Sequence, residues 1–91
     1  MRVSLEPLKP NSFILRVHTT DDGDWKLKSP YTWCCTVVIE HGIAEFKGVD
    51  KPPSAAELSA IKRYFKNERL DVHTAFWERP NGTVFTFNIR H

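Results

Sequence analysis

The chain has 91 residues, enough for one small α+β domain with a thin core. Its 13 lysines and arginines against 11 aspartates and glutamates leave a formal charge of +2 and a pI of about 8.7, mildly basic and below the footprint of a dedicated nucleic-acid binder. No apolar run approaches the roughly 18 residues of a membrane span, and Glu6, Pro7 and Lys9 break up any secretory leader, so no membrane partner is expected and the expected setting is the cytoplasm.

Arg2–Leu8 alternates Val3 and Leu5 with Arg2, Ser4 and Glu6, the period-two pattern of a strand. Pro7 and Pro10 confine it to a sheet edge or end it early, because proline offers no ladder N–H. After the Asn11-Ser12 turn, Phe13–Thr19 predicts a second strand with Phe13, Leu15 and Val17 on one side and Ile14, Arg16 and His18 on the other. Thr20–Tyr31 is the long connection. Its cluster Asp21-Asp22-Gly23-Asp24 has neither the ligand order nor the later glutamate of an EF-hand loop, so it reads as a polar turn. Trp25 and Leu27 alternate with Lys26 and Lys28, which predicts a short strand or a flap folded over the sheet.

Tyr31–Glu40 and Ile43–Gly48 form a hairpin around the two-residue loop His41-Gly42. That loop sets Glu40 opposite Ile43, Ile39 opposite Ala44 and Val37 opposite Phe46. Val37, Ile39, Ala44 and Phe46 then share one face, a floor for a helix, and Thr36, Val38, Glu40, Ile43, Glu45 and Lys47 share the other.

The helix is Pro52–Leu70. Pro52 and Pro53 end the preceding extended segment, and Ser54 with Glu57 forms an S-x-x-E capping box. Leu58, Ile61 and Phe65 follow at helical spacing, with Ala55 one turn before and Tyr64 on the flank. The basic residues Lys62, Arg63, Lys66 and Arg69 read first as a solvated face whose last turn suits the helix dipole. The sharper reading is an anion or nucleic-acid contact. A right-handed crossover then leads into Asp71–Arg79, parallel to the strand before the helix. A three-residue loop, Pro80-Asn81-Gly82, sets Trp77 opposite Phe85, Ala75 opposite Phe87 and His73 opposite Ile89. The architecture is ββ-ββ-α-ββ: one mostly antiparallel sheet of about six strands with a single helix on one face.

Enzyme signatures are missing. There is no glycine-rich phosphate loop, no G-x-S-x-G elbow and no H-E-x-x-H. Cys34 and Cys35 are neighbours, lack zinc-ligand spacing and read as buried free thiols in a reducing compartment. His18, His41, His73 and His91 fall in different elements; a dyad between His73 and Cys34 or Cys35 is geometrically possible across the sheet. Trp77, Phe85 and Phe87 could form a base-stacking platform, but the RNP consensus is absent and the helix needs those rings beneath it. No catalytic residue, metal ligand or cofactor is expected.

Two resemblances add to this. Thr36–Glu78 resembles in layout the central part of GNAT acyltransferases, where a helix N-terminus holds the acetyl-CoA pyrophosphate through R/Q-x-x-G-x-G/A. The matching stretch here, Lys47-Gly48-Val49-Asp50-Lys51-Pro52-Pro53, has one glycine, an aspartate and two prolines. G-I-A-E-F-K-G-V-D-K-P-P-S, the helix and V-H-T-A-F-W-E-R together resemble the ending of small proteins encoded by tailed phages and prophages, which would imply a host cytoplasm.

The expected function is protein interaction. One helix leaves one sheet face uncovered, and Val38, Ile43, Val72, Phe76 and Val84 fall on it. Self-association as a homodimer, or docking of a protein partner, is expected there. The alternatives are a degenerate GNAT-like ligand-binding or acyltransferase site near Gly48–Ser54, and weak nucleic-acid binding by the basic helix flank.

Overall fold

The structure is a computed structural model describing residues 1–90. It contains β1 (Arg2–Lys9), β2 (Ser12–His18), β3 (Tyr31–Glu40), β4 (Ile43–Lys47), α1 (Ala55–Glu68), β5 (Thr74–Glu78) and β6 (Val84–Asn88). The six strands make one sheet in chain order, antiparallel except where β5 lies parallel to β4 after the α1 crossover. This is the expected α+β fold.

The turns set the registers. His41 and Gly42 both take positive φ, 52° and 78°, as a two-residue hairpin loop of matching twist requires. Glu40 therefore pairs with Ile43, Ile39 with Ala44 and Val37 with Phe46. At the other hairpin Gly82 has φ 87° and the Arg79 N–H donates to the Thr83 carbonyl at 2.7 Å. Trp77 then faces Phe85, Ala75 faces Phe87, and the Ile89 N–H reaches the His73 carbonyl.

The capping box of α1 is complete: the Glu57 N–H donates to Ser54 Oγ at 3.1 Å and the Ser54 N–H to Glu57 Oε1 at 2.8 Å. The buried stripe is Glu57, Ala60, Ile61 and Phe65, with Leu58 and Tyr64 partly buried. Ala55, expected on this stripe, is exposed, because the stripe starts two residues later. Phe46 is central to the core, with its ring centre 6.5 Å from Trp33, 6.1 Å from Phe65, 5.9 Å from Trp77 and 6.1 Å from Phe87.

Two further expectations need correction. Val72 is not on the open face but fully buried in the core. The strand begins at Thr74 rather than Asp71, and the chain before it turns, with the Val72 N–H donating to the Arg69 carbonyl. Period-two alternation does not extend through a turn, so Val72 points the other way. The Trp25–Leu27 segment is one 3₁₀ turn rather than a strand, capped by Asp24. Leu27 is 74% exposed there and Trp25 half-buried. No described helix is long and apolar enough to cross a membrane.

Candidate functional site

The face opposite α1 is built by alternation. Ser12, Val38, Glu45, Phe76 and Thr86 form one continuous row across β2–β6, and Ile43 sits between Glu40 and Thr74 in the next row. Of the five residues expected here, Val38, Ile43, Phe76 and Val84 share the face, and Ile14 and Tyr31 join them. Val38 and Phe76 are half-buried by their neighbours, while Ile43 and Val84 are 43% and 58% exposed. The apolar residues are thus interleaved with threonines and charges. Arg16 pairs with Glu6 at 2.7 Å, and Lys47 lies 3.8 Å from Glu45.

The Thr20–Tyr31 connection covers only the β1–β2 corner of this face. Its anchor is His18, which is fully buried. His18 Nε2 lies 2.7 Å from Ser4 Oγ, and Nδ1 lies 3.1 Å from the Pro30 carbonyl. Since Pro30 can only accept, Nδ1 donates to it; in the neutral imidazole Nε2 then accepts from the serine hydroxyl. Gly23 packs directly on the imidazole: a Cβ there would lie 2.3 Å from His18 Cβ. A serine bonded to a histidine has the outline of a nucleophilic dyad. Here the third partner is a carbonyl, Ser4 is buried, and the glycine closes the approach, so the pair holds the connection down. Neither Ser4 nor His18 was singled out from sequence, where both read as polar residues of a strand. Their facing positions on adjacent strands, two residues off register, were the available signal.

The basic residues do not act as one group. Arg69 forms a two-pronged contact with Asp71 at 3.0 and 2.9 Å and lies over the Phe13 ring at 5.2 Å. That contact holds the Asp71 carboxyl below, and the Arg69 guanidinium above, their usual values. Lys62, Arg63 and Lys66 instead meet Arg90, which follows β6. With Ser59, Asn88 and Ile89 they line a groove of about 290 Å³ between α1 and β6. Lys62 Nζ sits 5.4 Å from the Phe87 ring centre, and Arg63 reaches the Met1 carbonyl at 3.4 Å.

The start of α1 serves its own chain. The Thr32 hydroxyl donates to Glu57 Oε2, and the Trp33 indole donates to the Lys51 carbonyl at 2.7 Å. Donation by Thr32, reinforced by Ser54, holds the Glu57 carboxyl below its usual value. Beside it, at the carboxyl ends of the parallel strands β4 and β5, a cleft of about 280 Å³ is lined by Val49, Pro52, Trp77, Arg79, Pro80 and Asn81.

The cysteines and histidines do not converge. Cys34 is exposed opposite Arg16, and Cys35 is buried on the helix side, where burial pushes its thiol up to about 12. Cys35 therefore matches the expected buried thiol and Cys34 does not. Both lie beyond the last β3–β4 pair, Thr36 with Lys47, whereas His73 donates its N–H to the Gly42 carbonyl at the hairpin end. The Cys–His dyad is not assembled. His91 lies outside the described residues. Asp21 accepts from the Met1 amino group at 3.0 Å and Asp24 caps the 3₁₀ turn; no described group of His, Cys, Asp or Glu could hold a metal.

No family model, curated protein or solved structure matches the chain.

Proposed function

We propose that the protein is a non-catalytic interaction module that self-associates through the sheet face opposite α1. The observation that carries this reading is the bare face: six strands wide, with Ile14, Val38, Ile43, Phe76 and Val84 set among threonines and only its His18 corner covered. Exposed apolar residues grouped on one face are a common mark of an interface. The occupant we assign is a second copy. The charges of the face are of both signs and partly paired within it, so it offers no single-sign field to a nucleic acid. Such a mixed face suits an isologous contact, in which each copy supplies what the other needs. Six strands about 4.8 Å apart, five to ten residues long, cover roughly 29 by 17 Å in projection along the length that all of them share. That is about 500 Å², below the roughly 600 Å² per partner at the low end of a standard interface, and side-chain relief adds to it. The dimer is therefore expected to be weak and concentration-dependent.

Sedimentation of the wild type and Phe76→Glu tests this. The wild type should pass from monomer to dimer as concentration rises, and the variant should stay monomeric. A wild-type monomer throughout the range retires the reading, and binding of some other protein to the same face would reassign its occupant.

A second reading rests on the cleft at the carboxyl ends of β4 and β5, close to the Gly48–Ser54 stretch of the GNAT-like layout. In that reading the cleft takes a small acyl carrier. Acetyl-CoA titrated against the amide signals of residues 47–57 decides it; unmoved signals at millimolar ligand remove it.

A further inference from the structure

The two edges of the sheet are treated differently. The β1 edge carries Pro7, the charges of Arg2, Glu6 and Lys9, and a register break between Pro7 and Lys9. These features discourage a foreign strand from pairing. The β6 edge, Val84-Phe85-Thr86-Phe87-Asn88, has no proline, no charge and an unbroken register. Its backbone polarity is fixed by the ladder. Thr83 and Ile89 bond toward β5, so Phe85 and Phe87 do too, and the N–H and C=O groups of Val84, Thr86 and Asn88 face outward. A strand edge of this kind is a template for another strand.

The groove described above runs beside this edge, on the helix side of the sheet. Among the described residues Lys62, Arg63, Lys66 and Arg90 line it, and no acidic side chain does. An added strand would send alternate side chains into the groove. A second copy of this chain paired through β6 would bring its own four cations against these, and like charges in apposition oppose that arrangement. A strand with carboxylates on one side meets the opposite situation.

We propose that β6 accepts an extended acidic peptide by strand addition. The peptide backbone pairs with Val84, Thr86 and Asn88, and its alternate carboxylates lie against Lys62, Lys66 and Arg90. This edge borders the face proposed for self-association and uses the backbone of Val84 and Thr86, whose side chains belong to that face; Phe76→Glu tests the face alone, so either proposal can fail without the other.

The probe is a ten-residue labelled peptide alternating glutamate with valine, with a lysine–valine peptide and a ten-nucleotide oligothymidine as controls. Fluorescence anisotropy at low salt should show binding of the glutamate peptide alone, weakening as salt rises. Val84, Thr86 and Asn88 amides should gain hydrogen-exchange protection in the complex. Lys62→Glu with Lys66→Glu, both exposed positions, should weaken binding by about tenfold or more. Thr86→Pro removes one outward N–H without touching the β5 ladder and should also weaken it. Phe76→Glu should bind the peptide as the wild type does. No binding of the glutamate peptide at millimolar concentration overturns the proposal. So does binding without edge-amide protection, which would mean a simple ionic contact, or tighter binding of the oligothymidine.

Discussion

Phe46 and Trp77 are paired residues on the parallel strands β4 and β5, and their rings stack 5.9 Å apart with planes 6° from parallel. Phe46 also meets Trp33, Phe65 and Phe87, so one side chain touches the rings that join the helix to both halves of the sheet. Phe46→Ala should destabilise by about 3–5 kcal/mol, the range for a buried phenylalanine. Against a total of about 5–15 kcal/mol for a small domain, that leaves little. Urea unfolding followed by tryptophan fluorescence should show the midpoint falling with the slope nearly unchanged. A loss under 1 kcal/mol would mean the cluster re-closes around the gap.

The His18 anchor makes a different forecast. Gly23→Ala places a methyl group against the imidazole that has nowhere to go unless the connection lifts. A cost of about 1–3 kcal/mol is expected, as for overpacking elsewhere. The effect should be local as well as global: limited proteolysis should cut within residues 20–30 of the variant well before the wild type is cut there. Equal cutting rates would show that the connection is held by something other than its seat on His18.

The contrast between these two sites shows what could be read in advance. The hairpin registers were legible because His41-Gly42 and Pro80-Asn81-Gly82 have specific backbone demands, and a register once set decides every face. The helix start was legible because Ser54 and Glu57 satisfy each other locally. The cap role of Glu57 is legible and its burial is not, because Thr32, which donates to its second oxygen, is 25 positions away. The place of Val72 is not legible, because period-two alternation does not carry back through the turn that the Arg69–Asp71 contact and the buried core hold. The basic groove was half legible. Three of its cations recur along the helix, but Arg90 is brought to them by the β5–β6 hairpin and not by proximity in the chain.

Acid should unfold the protein partly through Glu57. Its carboxyl titrates below the ordinary value of 4.5 in the folded chain, so the unfolded state holds more protons in between. The stabilisation is complete above that ordinary value and is lost as pH falls through the lower, folded one. Glu57→Gln should therefore lower Tm at pH 7 and lose that deficit as the pH is taken down to about 2. Parallel Tm curves over the whole range would show that the charge of Glu57 contributes nothing.

The two adjacent thiols should differ sharply in reactivity. Cys34 is exposed, while Cys35 is buried with its thiolate form suppressed up to about pH 12. Iodoacetamide at pH 8 should add one label to the native protein and two after unfolding in guanidinium, with peptide mass spectrometry placing the native label on Cys34. Rapid double labelling of the native protein would mean that β3 opens easily.

The order of the strands has a consequence for how the chain reaches this state. Each antiparallel pair joins neighbours in sequence, so β1–β4 can assemble from contacts that are close along the chain. Only the β4–β5 pair waits for a long closure, across the whole of α1. Loop-closure entropy grows slowly with length, by about 0.6 kcal/mol per doubling, so this step is affordable but late. On this topology Phe46 is expected to be placed early by its hairpin and to meet Trp77 later. Mutations on the β1–β4 meander should slow folding, whereas those that weaken the β5–β6 hairpin should mainly speed unfolding.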